Sequence, residues 1–158
     1  AKIIIYGIFI AYMILSLNKI KDVEIVSNKD YPIEAVEYVK QNLDIENIRF
    51  FNEYNFGSYM LYQDIPVFID SRADVYDPAF NGWEDDIFRD FINLSNACND
   101  YEEKFEHYGI THLLIYRNST LDKVLRLDTN YNELYEDEKC IIYERLSANQ
   151  RRKIWRNI

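Results

Sequence analysis

The stretch ITHLLIYRNSTLDKVLRL, residues 110–127, decides the expected fold class. Its first seven residues form a short apolar run that is typical of a core strand. The second half predicts a helix, with Ser119 or Thr120 as the N-cap. A strand followed by a helix is the repeating unit of α/β domains, so the rest of the chain is searched for the same alternation.

The alternation continues in both directions from this stretch. Pro32 opens a helix in YPIEAVEYVKQNL, and Gly109 closes a helix in YEEKFEHYG. IRFFNE and IPVFID predict strands, whereas NFGSYMLYQD and residues 83–98 predict helices. NYNELYEDEKCIIYERL predicts a hairpin with its turn near Glu138 and Lys139. We therefore predict an α/β domain with a small, mainly parallel sheet flanked by helices and a C-terminal β-hairpin.

An apolar segment precedes this domain. IIIYGIFIAYMILSL, residues 3–17, carries no charge and has apolar residues on every side of a helix. As a helix it is about 22 Å long, shorter than the ~30 Å hydrocarbon core of a bilayer. Because the chain opens at Ala1 without a methionine, we expect the end of a longer transmembrane helix. A signal-peptide core and a buried helix are the alternatives.

These patterns predict four regions. The expected regions are the end of a transmembrane helix (1–18), a linker (19–30), the α/β domain (31–147) and a basic tail (148–158). The tail carries Arg151, Arg152, Lys153 and Arg156 beside Trp155. It is either a solvated end or a contact with anionic headgroups.

Composition excludes several classes of function. The formal net charge of −9 argues against nucleic acid as a partner, because phosphate backbones are bound through dense Lys and Arg. His107 and His112 show no ligand spacing, so neither a metal nor a cofactor is expected. Cys98 and Cys140 are expected to be two buried thiols, with a disulfide as the alternative outside the cytoplasm.

Polar side chains cluster where two predicted strands end. Asn52, Asn55 and Gly57 follow the first strand, where Asn55 is a candidate helix cap and Gly57 permits a close approach. VFIDSRADVYDPAF, residues 67–80, places Asp70, Arg72, Asp74 and Tyr76 after the second. Ligands in open parallel sheets bind beyond the carboxyl ends of strands, so both groups are expected at one edge.

Three interpretations of the second group stay open. The two aspartates are a metal site or acid–base pair, the arginine recognises a ligand, or all three form an ion-pair network that holds a loop. A lone D-x-R-x-D has no recognised mechanistic spacing and lacks a nucleophile, so no catalytic residue and no metal ligand is assigned. A binding role is assigned to Asn52, Asn55, Gly57, Tyr59, Asp70, Arg72, Asp74 and Tyr76.

The order of these motifs resembles a known family. YPIEAVEYVKQN, FFNEYNFGSYMLYQ, VFIDSRADVY and YGITHLLIY are similar, in this order, to the soluble C-terminal region of bacterial polytopic membrane proteins of the type C glycosyltransferase class, such as the dolichyl-phosphate-mannose mannosyltransferase group. The family pattern falls on Pro32, Ala35, Asn52, Tyr54, Phe56, Gly57, Tyr59, Leu61, Asp70, Arg72, Asp74 and Tyr76. Ser58 and Ser71 stand where the family commonly has glycine, and Phe56 where it has tryptophan.

The resemblance implies an accessory domain without catalytic residues of its own. The parent protein would transfer sugar from a polyprenyl-phosphate donor, with its catalytic acids on an early loop that this sequence does not contain. The domain would lie at the cell membrane on the extracytoplasmic side. Its expected partners are the membrane, the rest of the parent protein, and a polyprenyl-phosphate sugar or glycan acceptor. The alternative is a structural interaction domain of a membrane-anchored protein without a ligand.

Overall fold

The computed structural model describes the backbone of residues 2–21, 30–147 and 150, and the side chains of residues 4–16, 30–147 and 150. The chain divides into two compact units, residues 1–30 and residues 31–158. The basic residues predicted for the tail lie outside the described residues, as does most of the predicted linker.

In its described part, the first unit is the helix α1 (Lys2–Lys21). Apolar side chains from Ile4 to Leu15 are exposed along it, and they lie on every side of the helix. We expected this segment to be the end of a transmembrane helix. Among the residues that the structure describes, no helix is both long enough and apolar enough to cross a membrane.

The second unit is a mixed α/β domain. Its helices are α2 (Ile33–Asn42), α3 (Tyr54–Tyr62), α4 (Pro78–Asn81), α5 (Ile87–Ser95), α6 (Tyr101–His107) and α7 (Thr120–Leu125), with 3₁₀ turns at Ile45–Asn47 and Ala73–Tyr76. Its strands are β1 (Phe50–Asn52), β2 (His112–Tyr116), β3 (Tyr131–Glu136) and β4 (Cys140–Arg145).

Local signals correctly predicted the start of α7 and the end of α6. The Ser119 hydroxyl accepts a hydrogen bond from the backbone N–H of Asp122 at 3.1 Å, which caps α7 as the sequence predicts. Gly109 follows α6 with a φ of 65°, a conformation that glycine adopts without steric cost. The helix predicted over residues 83–98 is shorter, because Asp86 caps α5 by accepting from the N–H of Arg89.

The sheet has the order β1-β2-β4-β3 and is not mainly parallel. Only β1 and β2 run parallel, whereas β4 pairs antiparallel with both β2 and β3. The predicted hairpin of β3 and β4 is present, with a register shift between Glu133 and Tyr135. The prediction of a mainly parallel sheet is confirmed only for the β1–β2 pair, because β4 runs antiparallel to both of its neighbours.

The strand predicted for IPVFID is also absent. Residues 65–70 are irregular, although Ile65, Ile69 and Asp70 are buried there. Pro66 lacks a backbone N–H, which weakens any ladder at the start of this segment. The apolar run correctly predicted that this segment is buried, but the predicted pairing with a neighbouring strand does not form.

The core fills both faces of the sheet. Leu113 and Ile115 of β2 face one side and pack into a cluster with Phe105 of α6 and Leu121 of α7. Residues on the opposite face alternate with them, as the period of a strand requires. On that side the ring of Tyr116 contacts Phe56 of α3 at 4.6 Å between centroids. The domain is therefore an α/β/α arrangement around a short sheet.

Both cysteines are free thiols, as expected from the sequence. Cys140 is fully buried in β4, and Cys98 is partly buried after α5. Burial raises the pKa of both thiols, so the thiolate form that reacts with oxidants is disfavoured at neutral pH. These cysteines are packing residues.

Candidate functional site

The predicted site residues converge on one irregular segment, residues 65–77, which we call the Asp70 loop. Asn52 at the end of β1 and Gly57 in α3 both contact it, and Asp70, Arg72 and Tyr76 belong to it. Asn55 and Tyr59 contact other parts of the domain, and Asp74 lies in the loop without joining the cluster. The grouping is therefore partly as predicted.

Asn52 takes the place of a strand partner for the loop. Its side chain is fully buried, and its Nδ2 donates to the carbonyl oxygen of Ile69 at 2.8 Å and to that of Glu53 at 2.9 Å. Its Oδ1 accepts the backbone N–H of Phe68 at 2.8 Å. A buried backbone needs such partners, so one amide replaces the missing ladder at this point.

Gly57 lets α3 approach the loop backbone. A Cβ atom at this position would lie 2.1 Å from the carbonyl oxygen of Ile69 and 2.8 Å from the Cα of Asp70. Real Cβ contacts do not reach these distances, and the neighbours are backbone atoms that cannot rotate away. The glycine serves helix-to-loop packing, and no space remains there for a ligand.

Asp70 is the centre of a closed hydrogen-bond network. Its side chain is 1% exposed. Oδ1 accepts the backbone N–H of Arg72 at 2.8 Å and its Nε at 3.0 Å. Oδ2 accepts the Nη2 of Arg72 at 2.5 Å and the hydroxyl of Tyr76 at 2.9 Å. Both carboxylate oxygens are fully used within eight residues of chain.

The electrostatics agree with this geometry. Hydrogen bonds from the Arg72 side chain hold the pKa of the Asp70 carboxyl below its usual range and outweigh the effect of burial. Burial, together with the hydrogen bond to Asp70, raises the pKa of Tyr76 to about 12. The cluster therefore contains an ionised carboxylate, a guanidinium and a neutral phenol at neutral pH.

Arg72 and Asp74 differ in what they offer to solvent. The Arg72 side chain is 66% exposed, although one edge of its guanidinium is bound to Asp70. The carboxylate of Asp74 is exposed and has no hydrogen-bond or ion-pair partner among the described residues. The second aspartate of the motif therefore takes no part in the network, which corrects the expectation of a three-residue cluster.

Two further contacts were missed by the sequence reasoning. The Tyr54 hydroxyl donates to the carbonyl oxygen of Ser71 at 2.9 Å, and the hydroxyls of Ser58 and Ser71 lie 2.7 Å apart. Tyr54 and Ser58 are four residues apart, so they lie on one face of α3. Their spacing around Gly57 was the available signal for this contact.

Asn55 and Tyr59 lie away from the loop. Asn55 donates to the Tyr116 hydroxyl at 3.3 Å, across the carboxyl ends of β1 and β2, and it does not cap α3. The ring of Tyr59 stacks at a tilt on Tyr31, with 5.4 Å between centroids. These two residues stabilise the packing of α3 and give no support to a shared ligand site.

Glu53 was not assigned to the site, but the pKa of its carboxyl is also shifted from the usual value. It lies at the N-cap position of α3, and its Oε1 accepts the backbone N–H of Tyr116 at 3.2 Å. Burial raises the pKa of Glu53, and the hydrogen bond from Tyr116 partly offsets that effect. Its position links β1 to the end of β2.

The chemistry open to the Asp70 cluster is narrow. A general acid or base needs a proton or lone pair within reach of a substrate, and Asp70 offers neither. In the part of the chain that the structure describes, no three His, Cys, Asp or Glu side chains are grouped so as to hold a metal ion. The arrangement holds a loop and presents one arginine to solvent.

Comparison with known proteins adds no relative. No protein-family model matches the chain, and neither a curated protein nor a solved structure matches it. The resemblance to type C glycosyltransferases therefore stays a prediction.

Proposed function

We propose that residues 31–147 form a non-catalytic accessory domain of a membrane glycosyltransferase-like protein that uses a polyprenyl-phosphate-sugar donor. The domain would be carried extracytoplasmically by the end of a membrane helix, α1. The ordered set of motifs supports the family. The exposed apolar side chains on every side of α1 support membrane association, because an all-apolar helix needs lipid or protein around it.

The state of Asp70 carries the proposal that the domain is non-catalytic. Its two oxygens accept five hydrogen bonds from Arg72 and Tyr76, and its side chain is closed to solvent. An acid–base role would require breaking this network in each cycle. A structural role uses the same contacts without change, since they fix the Asp70 loop against α3.

A second candidate, recognition of an anionic group, rests on Arg72. Its side chain is 66% exposed even though it is paired, so a phosphate or carboxylate can approach its outer edge. An arginine whose position is fixed by a buried aspartate loses little conformational freedom on binding. Lipid phosphate or a glycan acceptor at the membrane surface would be the ligand.

Thermal melting separates these roles. The full chain in detergent would be melted as wild type, Arg72→Ala and Asp70→Asn, each with and without undecaprenyl phosphate or mannose 1-phosphate. Arg89→Ala is the matched control, since its arginine is 77% exposed and its partner Asp86 is 36% exposed. A structural lock predicts that Arg72→Ala and Asp70→Asn lower Tm clearly more than the control does. Arg72→Ala leaves a buried carboxylate without its partner, and Asp70→Asn replaces one of two acceptor oxygens by an N–H donor that faces other donors.

The other outcomes point elsewhere. Variants that melt like the wild type, with a ligand-induced rise in Tm seen only in the wild type, would establish recognition by Arg72 instead of a lock. Release of sugar from the donor by this chain, abolished in Asp70→Asn, would contradict a non-catalytic domain.

A further inference from the structure

A cleft of about 330 Å³ lies beside the Asp70 loop, and no residue of α3 lines it. It is bounded by the start of β1, the first residues of the loop, the start of α5 and the turn before β2. Its lining residues are Arg49, Phe50, Pro66, Val67, Phe68, Tyr76, Trp83, Ile87, Tyr108 and Ile110. The volume lies at the lower end of the range for small-molecule sites, which suits a ligand of one ring system.

The walls of the cleft are aromatic, and their hydroxyls are already engaged. The Tyr76 hydroxyl donates to Asp70 at 2.9 Å, and the Tyr108 hydroxyl donates to Asp90 at 2.6 Å. The rings of Phe68 and Tyr108 meet edge to face, with 5.0 Å between centroids. Trp83 is 52% exposed, so the rim presents a large open aromatic surface. The cleft thus offers ring faces and no free hydroxyl.

Arg49 is the polar feature of the cleft. Among the six arginines of the described chain, it alone has no carboxylate within ion-pair distance. Its Nη1 donates to the carbonyl oxygen of Tyr108 at 3.1 Å, which fixes the guanidinium beside the cleft. Its Nε and Nη2 have no partner among the described residues, and this edge fits the two oxygens of a carboxylate.

The unengaged polar side-chain groups of the lining are therefore donors. They are the guanidinium edge of Arg49 and the indole N–H of Trp83, which has no partner in the described part of the chain. A carboxylate accepts and never donates, so it matches both groups. Sugar hydroxyls would find no free side-chain acceptor on the aromatic walls, at a cost in binding free energy.

The surrounding charge limits the ligand further. Asp85 and Asp86 lie close enough to Tyr108 to contribute to the raised pKa of its phenol, after burial and its bond to Asp90. Asp85 pairs with His107, and Asp86 pairs with Arg89. These carboxylates disfavour a dianion more than a monoanion at the same position.

We propose that this cleft binds a small aromatic monocarboxylate, with its ring packed against the contacting pair of Phe68 and Tyr108 and against Trp83, and with its carboxylate on Arg49. The site does not depend on the function proposed above, because neither Arg49 nor Trp83 belongs to the Asp70 network. A ring of this kind would bury its faces against aromatic neighbours, and its single charge would be met by Arg49, the one arginine without a carboxylate partner among residues 30–147.

Fluorescence of Trp83 tests the site directly. The full chain in detergent, carrying Trp155→Phe so that Trp83 is the only tryptophan, would be titrated with phenylacetate, neutral phenylacetamide and glucose 1-phosphate. Calorimetry of the same titrations gives a second readout. Phenylacetate is expected to saturate the signal and to bind at least about tenfold more tightly than phenylacetamide, the scale of one charge-assisted hydrogen bond.

Variants of Arg49 then test whether its guanidinium binds the carboxylate of the ligand. Arg49→Gln is expected to weaken phenylacetate by about tenfold or more, and Arg49→Lys by less, because it keeps the charge and loses the planar edge. Lys123→Gln is the matched control, since it removes one positive charge from an exposed side chain of α7 that does not line the cleft. Melting curves show whether each variant is folded.

Four results would overturn the proposal. Phenylacetamide binding as tightly as phenylacetate would remove the role of the anion, and this comparison needs no variant. Equal weakening by Lys123→Gln would reduce the effect to net charge. Tighter binding of glucose 1-phosphate would make the cleft a sugar-phosphate site. No saturable response up to about 10 mM phenylacetate, which corresponds to a binding free energy weaker than about −2.7 kcal/mol, would mean that there is no site.

Discussion

At the scale of single residues, two buried polar side chains set the conformation of the Asp70 loop. Asn52 supplies an acceptor and two donors to backbone groups that lack a strand partner. The carboxylate of Asp70 accepts hydrogen bonds from the side chains of Arg72 and Tyr76. Each polar atom that the fold buries here finds a partner, as buried polar groups must. The loop is held by hydrogen bonds where a sheet would have used a ladder.

Acid should weaken the Asp70 network in a defined range of pH. Because the pKa of Asp70 is lower in the folded chain than the ~3.9 of an unfolded aspartate, its contribution to stability is complete above about pH 4. The contribution is lost as the pH falls through the folded pKa. The unfolding free energy of wild type should exceed that of Asp70→Asn by about 2 kcal/mol at pH 7, and this difference should shrink below pH 4.

Urea unfolding of both proteins between pH 7 and pH 3 measures this difference. His112 contributes a separate loss that starts below about pH 6.5, because burial lowers its pKa. Glu53 contributes in the opposite direction, because burial raises its pKa. Both effects occur in wild type and variant alike and cancel in the difference. A difference that stays constant down to pH 3 would show that Asp70 is not the titrating group.

At the scale of elements, the position of α3 depends on how closely it approaches the loop. Tyr54 and Ser58 bond to Ser71 from the face of α3 that also carries Gly57. These three contacts lie within one turn and a half of helix, so α3 and the loop form a single packing unit. The unit explains why a helix begins directly after β1 and stays against the segment that follows it.

Gly57→Ala is expected to destabilise the domain by about 3 kcal/mol, since overpacking against fixed backbone cannot be relieved by a rotamer change. Gly7→Ala is the matched control, because a Cβ at Gly7 meets nothing within 4 Å. Urea unfolding followed by Trp83 emission would measure both variants. Equal stability of Gly57→Ala and wild type would mean that α3 and the Asp70 loop are not in contact.

The helices and strands also show which parts of the fold can be predicted from the sequence. α7, α6 and the β3–β4 hairpin follow from local signals: a serine cap, a terminating glycine and a turn between apolar runs. The conformation of residues 65–70 does not follow from local signals. Its backbone is hydrogen-bonded to the side chain of Asn52, which lies at least thirteen residues earlier in the chain. The order of the strands depends on β4 pairing with β2, which no local pattern specifies.

Some features of the candidate site could likewise be predicted from the sequence, and others could not. The pair of Asp70 and Arg72 was accessible from a spacing of two residues, and a structural ion pair was one of the interpretations. The exposure of Asp74 and the separation of Asn55 from the loop depend on three-dimensional packing. The cleft beside Arg49 escaped notice because its lining comes from four distant segments.

At the scale of the whole molecule, the negative net charge disfavours binding to anionic surfaces, whereas the exposed apolar side chains of α1 favour binding to lipid. The chain has a net charge of −9, which repels anionic surfaces, whereas α1 exposes apolar side chains on every side. Binding to a membrane would then be driven by burial of apolar area and would change little with salt. Anionic lipid should not strengthen it.

Flotation with vesicles tests this account of the proposed membrane association. The full chain should bind neutral phosphatidylcholine vesicles equally well at low and high salt. Ile8→Asp places a charge among the apolar side chains of α1 and should weaken binding about a hundredfold, from a cost of roughly 2.5–3.5 kcal/mol for a charge in lipid. Leu127→Asp is the control, since Leu127 is 87% exposed on the other unit and should leave binding unchanged. Equal losses in both variants, or release of the wild type by salt, would show that α1 is not the membrane-binding segment.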